Sequence, residues 1–140
     1  MTTRARKYQN FWEGVGKGFP DLGGAASTRY YAQNEERLFT EHFPALEGLT
    51  ILKTDLWDEA KNTRILLWAA QQGARAFGID ISEPTVRQAR AAFAGQPNAR
   101  PLQGVAGDVR DIPFKDDSLD AVYSMGTIEH FDATERAVAE

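Results

Sequence analysis

Residues 74–84 read Ala74-Arg-Ala-Phe-Gly-Ile-Asp-Ile-Ser-Glu-Pro84. A short apolar run ends in an acid, and a helix start follows at once. Ser82 is the residue type that caps a helix, and a proline is tolerated in the first turn. Val86, Ala89 and Phe93 then fall on one helical face, and Gly95 ends the run. The same alternation continues on both sides. Leu49–Thr54 is a short apolar run followed by a helix-like segment at 59–72, which Gly73 closes. Arg100–Ala106 and Leu119–Ser124 are two further strand candidates. Strands alternating with helices of this size specify βαβ units and a parallel sheet.

The expected fold is therefore α/β, Rossmann-like, with a parallel sheet as the middle of three layers. The chain of 140 residues divides into an N-terminal arm and helix (1–48) and a sheet-forming part (49–140). Glycines at 14, 16, 18, 23 and 24, with Pro20, read as a mobile arm carrying one short helix near Tyr8–Trp12. Tyr31, Leu38, Phe39 and Phe43 recur at helical spacing, which predicts a helix over about 28–42 with Ser27 as its cap and Pro44 beyond its end. At the other end, Asp132-Ala-Thr-Glu135 resembles a capping box. The helix it opens reaches Glu140 without a stop signal, so the chain reads as part of a larger domain.

Composition removes several classes of function. The formal net charge is −4, and there is no cysteine. Disulfide frameworks, thiolate metal sites and cysteine nucleophiles are excluded, and two histidines alone make no metal site. The longest apolar run, Ile65–Ala70, is too short to span a bilayer, and the first residues contain no apolar signal core. The acidic balance argues against nucleic-acid and membrane partners and suits a cytoplasmic protein. The cluster Arg4, Arg6, Lys7 is read as a solvated terminus and His42 as a surface residue.

Ligands of open parallel sheets bind beyond the carboxyl ends of the strands. Lys53-Thr54-Asp55 follows the first strand, Gly78-Ile79-Asp80 the second, Gly107-Asp108-Val109 the third and Ser124-Met125 the fourth. An acid after the second strand has a specific use, because one carboxylate can accept from both hydroxyls of a ribose. Acids at strand ends also cap following helices. Three such acids at three tips favour a ligand site.

The run GIDIS with GDVRDIPFKDDSLDAVYSMGTIEHF (residues 78–82 and 107–131) resembles the middle of a class I S-adenosylmethionine-dependent methyltransferase. The similarity is greatest to the small-molecule branch that includes quinone-biosynthesis enzymes, and it spans Leu49 to Glu140. It implies S-adenosylmethionine as cofactor, a small-molecule acceptor and a strand order of 3-2-1-4 for the part present. It also implies individual roles. Asp80 would hold the ribose hydroxyls, Ile81 would lie against adenine, and Asp108 and Val109 would bond its edge. Ser124 and Met125 would lie beside the methionine portion. His130, in the Glu129-His130 pair, is the candidate general base or a loop anchor. Tyr30, Tyr31 and Phe39 are candidates for a lid or an ordinary packing face.

One motif departs from the family. An acid and three alternating glycines are usual after the first strand, whereas Lys53-Thr-Asp-Leu-Trp-Asp-Glu-Ala60 contains no glycine. Asp55 lies 25 residues before Asp80 and Asp58 lies 22 before it. Asp55 is preferred as the ligand-side acid, with Asp58 as a helix cap. Asp58 and Glu59 would repel a cofactor carboxylate unless Lys53 or Lys61 offsets them. Two other readings are carried forward: a non-catalytic methyltransferase-like module, and an NAD-binding protein, which lacks its glycine signature here. The fourth strand, as a sheet edge, invites self-association.

Overall fold

A computed structural model describes the backbone of residues 3–140 and the side chains from residue 6 onward. Two helices, α1 (Thr3–Gly18) and α2 (Ala26–His42), precede the sheet-forming part. There β1 (Thr50–Lys53), β2 (Arg75–Asp80), β3 (Gln103–Ala106) and β4 (Ala121–Tyr123) form one parallel sheet in the order β3-β2-β1-β4. The intervening helices are α3 (Trp57–Lys61), α4 (Ile65–Gln71) and α5 (Glu83–Phe93). A short 3₁₀ turn (Ile128–His130) and α6 (Thr134–Ala139) follow β4. The fold class and strand order expected from the sequence are those observed.

Strand alternation sorts the core onto two faces. Ile51 and Ala76 point to one side with Leu66, Val86, Ala89 and Phe93, where α2, α4 and α5 pack. Leu52 and Ile79 point to the other with Val109, Phe77 and Phe114. That second face is covered by the irregular connection between β3 and β4 and by Ala137 of α6, so the third layer is a partial one. All four β1 residues are buried, as a central strand requires.

Several local expectations need correction. The segment 59–72 is not one helix: α3 and α4 are separate, and Arg64 turns between them at φ 57°. Glu59, fully buried, caps α4 from a distance by accepting from the amides of Leu66 and Leu67 at 2.9 and 3.2 Å. Asp58 lies within the first turn of α3 rather than at its cap, which is Leu56. Ser27 lies inside α2, whose cap is Ala25. Ala133, not Asp132, precedes α6, and its side chain makes no capping bond. Ser82 caps α5 as expected, accepting from the Thr85 amide.

The arm is the largest difference. Residues 3–18 form a 16-residue helix rather than a mobile segment with a short one. Gly16 explains how glycines serve it. A Cβ there would lie 3.0 Å from the Thr85 hydroxyl, so the missing side chain permits close approach of α1 to α5. Lys61 then fastens the end of α1, donating to the carbonyls of Gly16 and Phe19 at 2.6 and 2.8 Å. Arg6 and Lys7 are exposed, as is His42, while the side chain of Arg4 lies outside the described residues.

Candidate functional site

The first strand tip is built around an ion cluster. Lys53 is wholly buried, and its ammonium donates to the Asp55 carbonyl (3.0 Å), Asp55 Oδ1 (2.9 Å) and Asp58 Oδ2 (3.3 Å). Three N–H groups meet three acceptors, which satisfies the ammonium. Burial alone would lower the pKa of Lys53, but Asp55, Asp58 and Glu59 outweigh it and hold the group above its ordinary value. Burial raises the Asp55 carboxyl, against the pull of Lys53. Asp55 Oδ2 accepts from the Thr127 hydroxyl at 3.2 Å, which ties the first tip to the loop after β4.

The loop after β1 crosses β2 at Gly78. A Cβ on Gly78 would come within 2.4 Å of Leu56 Cδ2, so glycine sits in the strand and lets the loop's leucine pass over it. The Leu56 amide then donates to Asp80 Oδ2 at 2.9 Å, and the Ser82 amide donates to Oδ1 at 2.8 Å. Asp80 is held by one amide per oxygen. Burial pushes its carboxyl up to about 6, and those two amides only partly offset it.

At the third tip, Asp108 accepts from the Arg110 guanidinium at 2.9 and 2.6 Å and from the Arg110 amide at 2.9 Å. These bonds hold its carboxyl below the ordinary value. Val109 is buried against Leu52 and Ile79. At the fourth tip, His130 reaches back over the site, its ring 4.8 Å from that of Trp12 in α1.

These tips and α1 line a solvent-open cavity of about 410 Å³. Asp55, Asp80, Ile81, Asp108, Val109, Met125 and His130 all line it. Two predicted residues do not. Lys53 stands behind Asp55 and Asp58, and Ser124 is exposed outside the lining. Of the residues read as a lid or a packing face, Phe39 packs in the core while Tyr30 and Tyr31 are exposed on α2, and none of the three lines the cavity. The helix that walls the cavity is α1, through Trp12, Val15, Gly16 and Phe19. Sequence reasoning missed these residues, although Tyr8, Phe11, Trp12, Val15 and Phe19 recur at helical spacing. It also missed Thr127 and Trp57, which line the cavity from the loop after β4 and from the start of α3. Lys53, not Lys61, offsets Asp58; Lys61 is committed to α1.

Residues 60–140 match the methyltransferase-domain family. That is more than half of the chain, which belongs to this family and has the fold of class I S-adenosylmethionine-dependent methyltransferases. One similar structure is a methyltransferase of Haloferax volcanii in complex with the Trm112 methyltransferase activator. It is 24% identical with a TM-score of 0.63, and the match covers 96% of this chain and 52% of that one. A second is a TehB-like S-adenosylmethionine-dependent methyltransferase of Corynebacterium glutamicum. It is 21% identical with a TM-score of 0.57, and the match covers 97% of this chain and 64% of that one. The chain thus spans between half and two thirds of the length of these relatives.

The cavity suits the family's cofactor in size and chemistry. Small-molecule sites of this kind occupy roughly 300–1,000 Å³. Asp55, Asp80 and Asp108 bring a carboxylate to the cavity from the first, second and third tips, with Ile81 and Val109 beside them. What differs is the glycine-free segment after β1, where the first turn of α3 offers Trp57 and Asp58 to the cavity.

Proposed function

We propose that this chain is the S-adenosylmethionine-binding part of a methyltransferase acting on a small-molecule acceptor. One observation carries the reading: Asp80 is fixed by two backbone amides at the β2 tip while lining the cavity, beside Asp108 and Val109. Each Asp80 oxygen accepts one amide and retains a lone pair, so the carboxylate can still take two ribose hydroxyls. Ile81 offers apolar surface to adenine, Asp108 the acceptor for its amino group and the Val109 backbone a donor to its ring. Asp55 and Met125 lie where the methionine portion would run, with Lys53 positioning Asp55 and Ser124 marking the rim.

The bound cofactor supplies an electrophilic methyl group on a sulfonium. The chain's part is alignment and exclusion of water, since in-line transfer depends more on geometry than on proton movement. His130 is the side chain placed to take a proton from the acceptor, and its ring contact with Trp12 couples that position to α1. The Haloferax volcanii relative was solved with an activator protein, so a protein partner is compatible with this fold. β4 bonds to β1 along one side and ends the sheet order, with Val122 57% exposed, and we place self-association there. Among the described residues no helix is long and apolar enough to cross a membrane. A cytoplasmic setting belongs to the same proposal.

Calorimetric titration with S-adenosylhomocysteine, with NADH as comparator, tests the reading. Saturable binding of the first, weakened by about tenfold or more in Asp80→Ala, is expected from loss of charge-assisted bonds. Saturable NADH binding alone would revive the dinucleotide reading. Binding of neither would favour the non-catalytic module.

A further inference from the structure

Backbone pairing of the first and fourth tips ends with the Thr54 amide, which donates to the Tyr123 carbonyl at 3.1 Å. Past that point burial does little to fix the loop after β4. Ser124, Met125, Gly126, Glu129 and His130 are all exposed. The far end of the loop is anchored, since Phe131 packs against the second core cluster and its carbonyl accepts from the Thr134 hydroxyl at 3.2 Å. Thr127 anchors the near end. Its hydroxyl donates to Asp55 Oδ2 at 3.2 Å and accepts from the Thr54 hydroxyl at 3.4 Å. The other Asp55 oxygen, Oδ1, accepts from the wholly buried Lys53 ammonium at 2.9 Å. The Thr127 carbonyl then accepts from the His130 amide at 3.2 Å, which closes the 3₁₀ turn that carries the imidazole to Trp12.

We propose that Thr127 is a positioning residue, through whose hydroxyl the buried Lys53–Asp55 pair fixes where His130 stands over the cavity. The two hydroxyls run head to tail, Thr54 to Thr127 to Asp55, each donating its single proton. The chain ends on a carboxylate, the strongest acceptor available to a hydroxyl, and that carboxylate is itself held from behind by Lys53. An exposed loop thereby takes its position from a fully buried ion pair in the glycine-free segment after β1. The consequence for methyl transfer rests on the function proposed above. A general base works only within hydrogen-bond reach of the proton it removes, and a misplacement of about 1 Å can cost about a hundredfold in rate.

The test compares Thr127→Val, which keeps the shape and loses the hydroxyl, with Thr127→Ser, which keeps the hydroxyl. Two readouts are taken by magnetic resonance on the chain without ligand. The first is the ring-current shift that Trp12 imposes on the His130 ring protons, the rings being 4.8 Å apart. The second is exchange of the His130 amide, relative to the amides of β2. Thr127→Val is expected to lose most of the shift and to speed His130 exchange by about tenfold, with β2 unchanged. Thr127→Ser should retain both wild-type values. Thr127→Ala, which adds no bulk, should repeat the loss and serves if the valine variant does not fold. Unchanged values in the valine and alanine variants would overturn the inference. So would an equal loss in Thr127→Ser, or an acceleration shared equally by β2. Because no ligand is present, each of these outcomes is independent of whether the cavity binds S-adenosylmethionine.

Discussion

Lys53→Met is the perturbation that probes the first tip most sharply. The side chain is fully buried and bonded to Asp55 and Asp58 at 2.9 and 3.3 Å, with Glu59 close enough to raise its pKa further. Methionine matches the length of the stem but removes the charge. Asp55 and Asp58 are then left partly or wholly buried with no counter-ion. Breaking a buried pair by removing one partner costs about 3–5 kcal/mol, a large share of the roughly 5–15 kcal/mol that holds a domain together. Urea unfolding followed by fluorescence of the three tryptophans would report the loss. With an m-value of about 2 kcal/mol/M, the midpoint should fall by about 2 M. Adding Asp55→Asn and Asp58→Asn to Lys53→Met should restore at least half of the lost stability, because the uncompensated charges disappear. A loss below about 1 kcal/mol, or a triple variant weaker than the single one, would refute the charge argument.

Gly78→Ala should destabilise by about 1–3 kcal/mol and weaken ligand binding with it, since the new methyl meets buried Leu56, whose amide holds Asp80; unfolding and titration on one preparation would check both. Gly14→Ala, where a Cβ meets nothing within 4 Å, should stabilise α1 by about 0.5–1 kcal/mol and raise Tm by a few degrees, whereas Gly16→Ala should gain less because of Thr85. Burial raises the carboxyls of Asp80 to about 6 and of Glu59 to about 7. The native state then binds more protons than the unfolded one between about pH 4 and 7, so stability falls as pH rises through that window. Denaturation midpoints should correspond to about 1–3 kcal/mol more stability near pH 5 than near pH 7.5, and the opposite slope would contradict the assignment.

The sheet was legible because its signals are local. Each strand is a short apolar run, and the one that decides the order, Arg75–Asp80, is followed at once by a serine-capped helix. The strand tips followed from the strands, which is why Asp55, Asp80, Asp108 and Met125 fall in one lining. What was not legible depends on contacts between distant segments. Glycines at 14, 16 and 18 each weaken a helix by about 1 kcal/mol taken alone, which argues for a loose arm. Packing of Gly16 on Thr85 and the Lys61 bonds to the end of α1 override that propensity. Arg64 likewise breaks a continuous helical pattern through a left-handed turn that no glycine announces, with Glu59 compensating by capping α4. The place of Lys53, behind the site rather than in it, depends on three acceptors that the chain brings together only on folding.

The central claim is that the cavity beneath α1 is the cofactor site. Amide spectra of the ¹⁵N-labelled chain, recorded during titration with S-adenosylmethionine, test it most directly. The account predicts saturable shifts concentrated at Leu56, Asp80–Ser82, Gly107–Val109 and Gly126–Thr127, with the indole of Trp12 moving on the same isotherm. Saturable shifts confined to the groove between α2 and β4, around Tyr31, Leu38 and Tyr123, would contradict it. So would a spectrum that does not change.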